Sequence, residues 1–327
     1  MKLKVFLLSL SLLALASAPA VAATLEPLPA LAPIPADNPM TREKIDLGKM
    51  LFFDPRLSGS NWIRCATCHN HVMGYTDRLP RALGHAMSEG PRNTPTVLNA
   101  AFIGAQFWDG RAKTLEEQAL GPFQANVEMK QTLSQMVENL KRVPEYRQMF
   151  SKVFGGEDSI NSTNVAKAIA TFERTLITPN SPFDRYLAGD KAALSPQAVK
   201  GMELFQSKGC VGCHNGPALT DSGYHRIRVP GSVDEGRFKV TKDESDKYAF
   251  RTPTLRNVEL TAPYFNNGSV NTLPEAVNVM GQQALNTNLG KDEIEAISAF
   301  LVSLTGEQPK FDYPELPYTK YEGLAKQ

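Results

Sequence analysis

The pentapeptide C-x-x-C-H occurs twice, at Cys65-Ala66-Thr67-Cys68-His69 and at Cys210-Val211-Gly212-Cys213-His214. The two copies use every cysteine of the 327-residue chain. A second signature precedes each: Gly48-Lys49-Met50-Leu51-Phe52 before the first and Gly201-Met202-Glu203-Leu204-Phe205 before the second. The order G-x-x-L-F, turn, C-x-x-C-H thus repeats 145 residues apart (65 to 210), the mark of an internal duplication. Two similar helical units, joined near 178–194, explain it most economically. The spacing also says what each unit holds. Two cysteines three apart reach the two vinyl groups of one haem as thioethers, and the adjacent histidine then sits under the iron. Cys65, Cys68 and His69, and Cys210, Cys213 and His214, are therefore the candidate seats of two covalent c-type haems, with His69 and His214 as proximal ligands. A zinc site would need the two pairs in one cluster, or compact Cys/His spacing. A thioredoxin-like dithiol predicts neither two copies nor a histidine after each.

The start of the chain bears on the compartment. A short basic opening, Met1-Lys2-Leu3-Lys4, leads into the apolar run Val5 to Ala16 and then small residues ending "APAVAA". That is the layout of a cleavable secretory signal over 1–23, too short in its apolar core for a span of roughly 20 residues. A periplasmic, soluble mature chain is expected. Four exported cysteines ordinarily mean two disulfides, which the paired motifs contradict. The full chain has 35 Lys+Arg against 34 Asp+Glu; without Lys2 and Lys4 the balance is 33 to 34. So neutral a chain, lacking basic runs, is not built for nucleic acid.

The texture after the signal is mainly α. Residues 24–40 are proline-rich and read as an extended leader lying on the surface. Helices are expected at 41–53 with Thr41 as N-cap, across 132–154 with a break near Pro144, and at 161–176, where Val165, Ile169, Phe172 and Leu176 share a face. Others follow at 195–209, 273–280 and 290–306. The expected domains are 41–188 and 189–306, each cytochrome c-like, with a tail, 307–327, packed back on the first.

What a haem does depends on its sixth ligand, since an open or displaceable position admits a small molecule. His71 is tethered to the same face as His69 and reads as a loop or propionate contact. His85 lies in a Gly-flanked loop long enough to wrap the first haem, and reads equally well as a surface histidine. Met280 lies 66 residues beyond His214 (214 to 280), where a late methionine ligand would raise that haem's potential; a methionine is also ordinary core filling.

Longer stretches carry a resemblance. "CATCHNHVMGYTDRLPRALGH" (65–85), "GPRNTPTVLNAAF" (90–102), "FWDGRAKTLEEQALGPFQANVEM" (107–129), "GCVGCHNGPAL" (209–219), "RTPTLRNVELTAPYF" (251–265) and "VMGQQAL" (279–285) are similar to the bacterial diheme cytochrome c peroxidases, nearly end to end. The resemblance implies a low-potential peroxidatic haem on His69 with His85 as its displaceable distal ligand. It implies a high-potential electron-transfer haem on His214 and Met280. Glu128 matches the family's catalytic acid/base, Gln118 its partner in the distal pocket, and Trp108 the aromatic residue between the haems. Asn93, Thr261 and Pro263 match a calcium site at the domain interface. By themselves Glu128 would read as a solvated charge and Trp108 as core. One departure is Tyr264-Phe265-Asn266-Asn267-Gly268, where many relatives carry Y-F-H-S-G.

The expected activity is reduction of hydrogen peroxide to water, with electrons from a small cytochrome c or copper protein, in a homodimer. Two rivals share the haems: a related maturase that oxidises a protein substrate, and a plain diheme electron carrier.

Overall fold

The computed structural model describes residues 24–317; the expected signal peptide and residues 318–327 of the tail lie outside that range. Helix α1 (Arg42–Phe53) starts where Thr41, in extended conformation, accepts the Lys44 N–H, as the sequence predicts. A single turn, α2 (Cys65–Cys68), carries the first cysteines. Then come α3 (Leu115–Gln124), α4 (Leu133–Lys141), α5 (Pro144–Phe154) and α6 (Ser162–Glu173). Pro144 opens α5 at its first turn, where the missing N–H costs nothing, so the expected break falls there. The second half holds α7 (Pro182–Leu187), α8 (Pro196–Ser207), α9 (Phe238–Thr241), α10 (Leu273–Ala284) and α11 (Lys291–Val302). One small antiparallel ribbon pairs β1 (Tyr224–Arg226) with β2 (Ala249–Arg251).

The apolar residues separate into two main cores. Leu47, Leu51, Phe52, Phe123, Phe150 and Ile169 belong to the first, and Phe183, Phe205, Leu219, Ile297, Phe300 and Leu304 to the second. The glycine of each G-x-x-L-F repeat explains how each core closes. A Cβ on Gly48 would overlap the Ala168 carbonyl of α6, and one on Gly201 would overlap the Ala296 carbonyl of α11. Only glycine lets α1 press on α6 and α8 on α11 at that separation. The fold is therefore mainly α, with two similar helical domains.

A second repeat marks where the halves meet. Thr94-Pro95-Thr96-Val97-Leu98-Asn99 and Thr252-Pro253-Thr254-Leu255-Arg256-Asn257 both end in a left-handed asparagine. The Nδ2 atoms of Asn99 and Asn257 both donate to the Thr178 hydroxyl, each at 2.8 Å. Arg92 adds an ionic tie, reaching Asp109 and Asp234 at 2.6 Å each.

Both ends of the described range are fastened down. The leader, expected to lie on the surface, buries Leu28 and Asn38. The Leu28 N–H donates to Asp184 Oδ1 at 3.0 Å, and Arg256 Nη2 donates to the Glu26 carbonyl at 2.8 Å. In the tail, Phe311 stacks on His71 with ring centroids 3.9 Å apart and lies against Phe53.

Candidate active site

The two C-x-x-C-H motifs sit in matching surroundings. His69 Nδ1 lies 3.2 Å from the Tyr75 carbonyl, and His214 Nδ1 lies 3.2 Å from the Leu219 carbonyl. Donation of Nδ1–H to a main-chain oxygen leaves Nε2 as the free lone pair, which is the tautomer a metal ligand needs. Burial lowers both imidazoles, His214 to about 4, so each stays neutral. The phenylalanine of each G-x-x-L-F repeat stands beside its histidine: Phe52 is 6.5 Å from His69 and Phe205 is 6.4 Å from His214, centroid to centroid.

Burial also pushes all four thiols up, Cys68 to about 12 and Cys210 to about 11. Thiols held protonated make poor redox nucleophiles. Nor do the two cysteine pairs meet. Among the described residues the one His/Cys/Asp/Glu cluster with metal-like spacing is Cys213, Asp221 and His225. The dithiol and four-cysteine zinc readings therefore lose their geometry.

Around the first motif the chain brings together two residues that are far apart in sequence. The His85 N–H donates to the Glu128 carbonyl at 2.8 Å. A Cβ on the preceding Gly84 would overlap the Val127 carbonyl, so glycine there permits the contact. Ala86 and Met87 are both left-handed, with φ of 54° and 59°, so the His85 turn holds backbone strain of a kind that gathers at functional sites. His85 Nδ1 is buried without a hydrogen-bond partner. Glu128 lies on the turn after α3, tied back by Met129 N–H to the Pro122 carbonyl at 3.2 Å. Burial raises the Glu128 carboxyl above its usual range, with Arg111 pulling the other way. Gln118 is half-buried on α3, and no hydrogen bond joins it to Glu128. His71, under Phe311, belongs to the tail contact.

The second motif opens onto a cavity of about 390 Å³. Cys210, Cys213, His214 and Met280 all line it, and so does Trp108 from the first domain. Met280 sits within α10, which runs to Ala284, four residues past its expected end at 280. Trp108 donates Nε1–H to the Asn93 carbonyl at 2.9 Å. Asn93, Thr261 and Pro263 line the same space. The Thr261 hydroxyl is spent on the Val258 carbonyl at 3.0 Å, which leaves its main-chain oxygen. Asn266, at the departure from Y-F-H-S-G, accepts the Asn93 N–H at 2.8 Å, and its Oδ1 is buried with no partner.

Comparison with known proteins agrees with this duplicated arrangement. Residues 42–192 match the family described as di-haem cytochrome c peroxidase, and residues 198–305 match cytochrome c. The chain is 48% identical to the cytochrome c551 peroxidase of Nitrosomonas europaea over 96% of its own length and 95% of that protein. The chain belongs to the di-haem cytochrome c peroxidase family. It is also 48% identical to the cytochrome c551 peroxidase of Pseudomonas aeruginosa, over 86% of this chain and 84% of that one. Among solved structures it resembles a MauG-like protein associated with microbial copper homeostasis, with a TM-score of 0.77 at 28% identity over 88% of this chain and 95% of the other.

Two c-type haems are the cofactors of a di-haem peroxidase, and the residues present fit them. In the first domain Tyr75 Oη, His85 Nδ1 and Glu173 Oε2 are buried without partners, an uncommon condition unless something else occupies the space. In the second, the cysteines, histidine and methionine face one apolar cavity. Sequence reasoning missed the T-P-T-x-x-N repeat, although it is legible in the letters. It also missed the buried Arg251, whose sequence gives no hint of burial. No helix among the described residues is long and apolar enough to cross a membrane.

Proposed function

We propose that this peroxidase-family chain reduces hydrogen peroxide to water in the periplasm, drawing electrons from a small cytochrome c or copper protein. The observation that supports the reading is the bond from His85 N–H to the Glu128 carbonyl, 2.8 Å long. It brings the His85 and Glu128 segments together, in keeping with His85 as a displaceable imidazole and Glu128 as the proton carrier.

Bound haem supplies redox-active iron that passes single electrons and takes a small ligand where a coordination position is open. The chain's own groups do the rest. Heterolysis of the O–O bond needs a proton carried from one peroxide oxygen to the other, and the Glu128 carboxyl takes it and returns it. Gln118, its amide not committed to any partner among the described residues, hydrogen-bonds the departing oxygen as charge develops. Two electrons and two further protons complete two waters. His85 holds the site closed until it moves aside, and its turn, flanked by Gly84 and Gly90, accommodates that motion. Met280 and His214 would hold the second haem, which would supply an entry point for electrons, and Trp108 lines the same cavity. Asn93, Thr261 and Pro263 offer neutral oxygens of the kind calcium takes, and Asn266 Oδ1 adds an unspent one. The family implies a homodimer.

The test is oxidation of a reduced small cytochrome c by peroxide, with holoprotein in calcium, before and after partial pre-reduction. Turnover only after pre-reduction supports both the peroxidase and the His85 switch. Turnover in both states keeps the peroxidase and discards the switch. None in either, with donor binding confirmed, favours the carrier or the maturase; Met280 argues against the maturase, which carries tyrosine there.

A further inference from the structure

Buried guanidinium groups in this protein come with carboxylates, and one does not. Arg256, fully buried, meets Asp184 at 2.7 Å, and Arg174 meets Glu116 at 2.7 Å. Arg251 is 4% exposed and has no acidic partner among the described residues. Its Nε donates to the Phe107 carbonyl at 3.1 Å and its Nη1 to the Thr252 carbonyl at 2.8 Å. Nη2 makes no hydrogen bond to a described residue. An unpaired buried charge is costly, and burial brings this guanidinium down to about 10, so it still carries its proton at neutral pH.

The surroundings say what is missing. Arg251 lines the cavity with Cys210, Cys213 and His214, and among the described residues no Asp or Glu lines that space. The position is also particular to the second domain. In the T-P-T-x-x-N repeat, Arg251 precedes Thr252 where Asn93 precedes Thr94. The cavity thus holds a fixed cation with an unused donor and lacks an anion to meet it. A haem attached at these cysteines brings two carboxylates of its own, the propionates.

We propose that Arg251 is the positioning residue that binds a propionate of the C-terminal haem through its free Nη donor while gripping the Trp108 segment. Its main-chain N–H donates to the Trp108 carbonyl at 2.8 Å, and its Nε holds Phe107. One side chain therefore joins the charge on the second haem to the strand of chain lying between the two haem domains. Its positive charge also favours the reduced haem. Gaining or losing one nearby unit charge in a partly screened interior changes such an equilibrium about tenfold.

The inference rests on a haem filling this cavity, so the mass of the wild-type holoprotein is read first. A C-terminal motif without haem overturns that reading and this proposal together. With two haems present, Arg251→Gln and Arg251→Lys are compared by redox titration of the C-terminal haem and by its propionate bending band in resonance Raman. Arg251→Gln is expected to disfavour reduction about tenfold, about 59 mV for one electron. Arg251→Lys keeps the charge and is expected to hold most of the potential, while the band moves in both variants because an ammonium does not reproduce the fork. A wild-type potential in Arg251→Gln overturns the proposal alone, as does an equal fall in both variants. If Arg251→Gln yields no holoprotein, a Raman band at the wild-type position in Arg251→Lys overturns it.

Discussion

Two glutamates in the first domain show how the depth of burial assigns different tasks to the same side chain. Glu128 is half-buried and raised modestly by desolvation, with Arg111 in opposition. A proton carrier works best with its pKa lifted toward the operating pH. Glu128→Gln is expected to lower kcat by about 100-fold or more with both haem spectra intact, and wild-type turnover in that variant would remove Glu128 from the chemistry. Because the working form takes up a proton, wild-type activity should fall as pH drops through the raised carboxyl range. Glu173 is different: burial pushes it up to about 8, and its Oε2 has no partner. The folded state therefore keeps a proton that the unfolded chain releases near its ordinary value. Its contribution to stability is greatest below about 4.5 and declines as pH rises to about 8. Thermal unfolding of Glu173→Gln across that range should lose the slope; an unchanged slope would show that Glu173 is charged when folded.

Helix pairing is where the duplicated signature has its physical meaning. Gly48 and Gly201 allow α1 on α6 and α8 on α11, because a Cβ at either would strike a carbonyl of the partner helix. Alanine at 201 would gain about 1 kcal/mol in helix propensity. The clash is with backbone, which cannot rotate away, and overpacking costs about 1–3 kcal/mol. Gly201→Ala is expected to be destabilising by about 1 kcal/mol net in denaturant unfolding; a more stable variant would mean that the helices separate freely. Helices with a sustained apolar face, such as α4, α5, α6 and α11, were legible from spacing alone. α3 was not, since Gly121 and Pro122 interrupt its pattern. The ribbon escaped because each strand is three residues long and its partner lies across an intervening loop. The haem cysteines and histidines announce themselves by spacing. The His85–Glu128 contact does not, because a main-chain bond between distant loops leaves no mark on residue type.

At the scale of the whole molecule, the domains are joined by polar ties. Asp234 is held far below the ordinary carboxylate range, chiefly by hydrogen bonds from Arg92 and Lys239 that outweigh its burial. A carboxylate with a depressed folded pKa stabilises above its unfolded value and loses that contribution in acid. Asp234→Asn should cost about 2 kcal/mol at neutral pH, and the gap from wild type should begin to narrow below about pH 4 and close only in stronger acid, as equilibrium unfolding would show. A gap independent of pH would mean that the tie is not ionic in effect.

The leader has a consequence for the order of folding. Glu26 meets Arg256 across 230 positions, and Leu28 meets Asp184 across 156. Contacts of such long range form late, since the loops they close must be ordered first. The earliest residues of the described chain therefore wait for some of the last. The second domain cannot lock until the leader, which lies before the first domain, has returned to it.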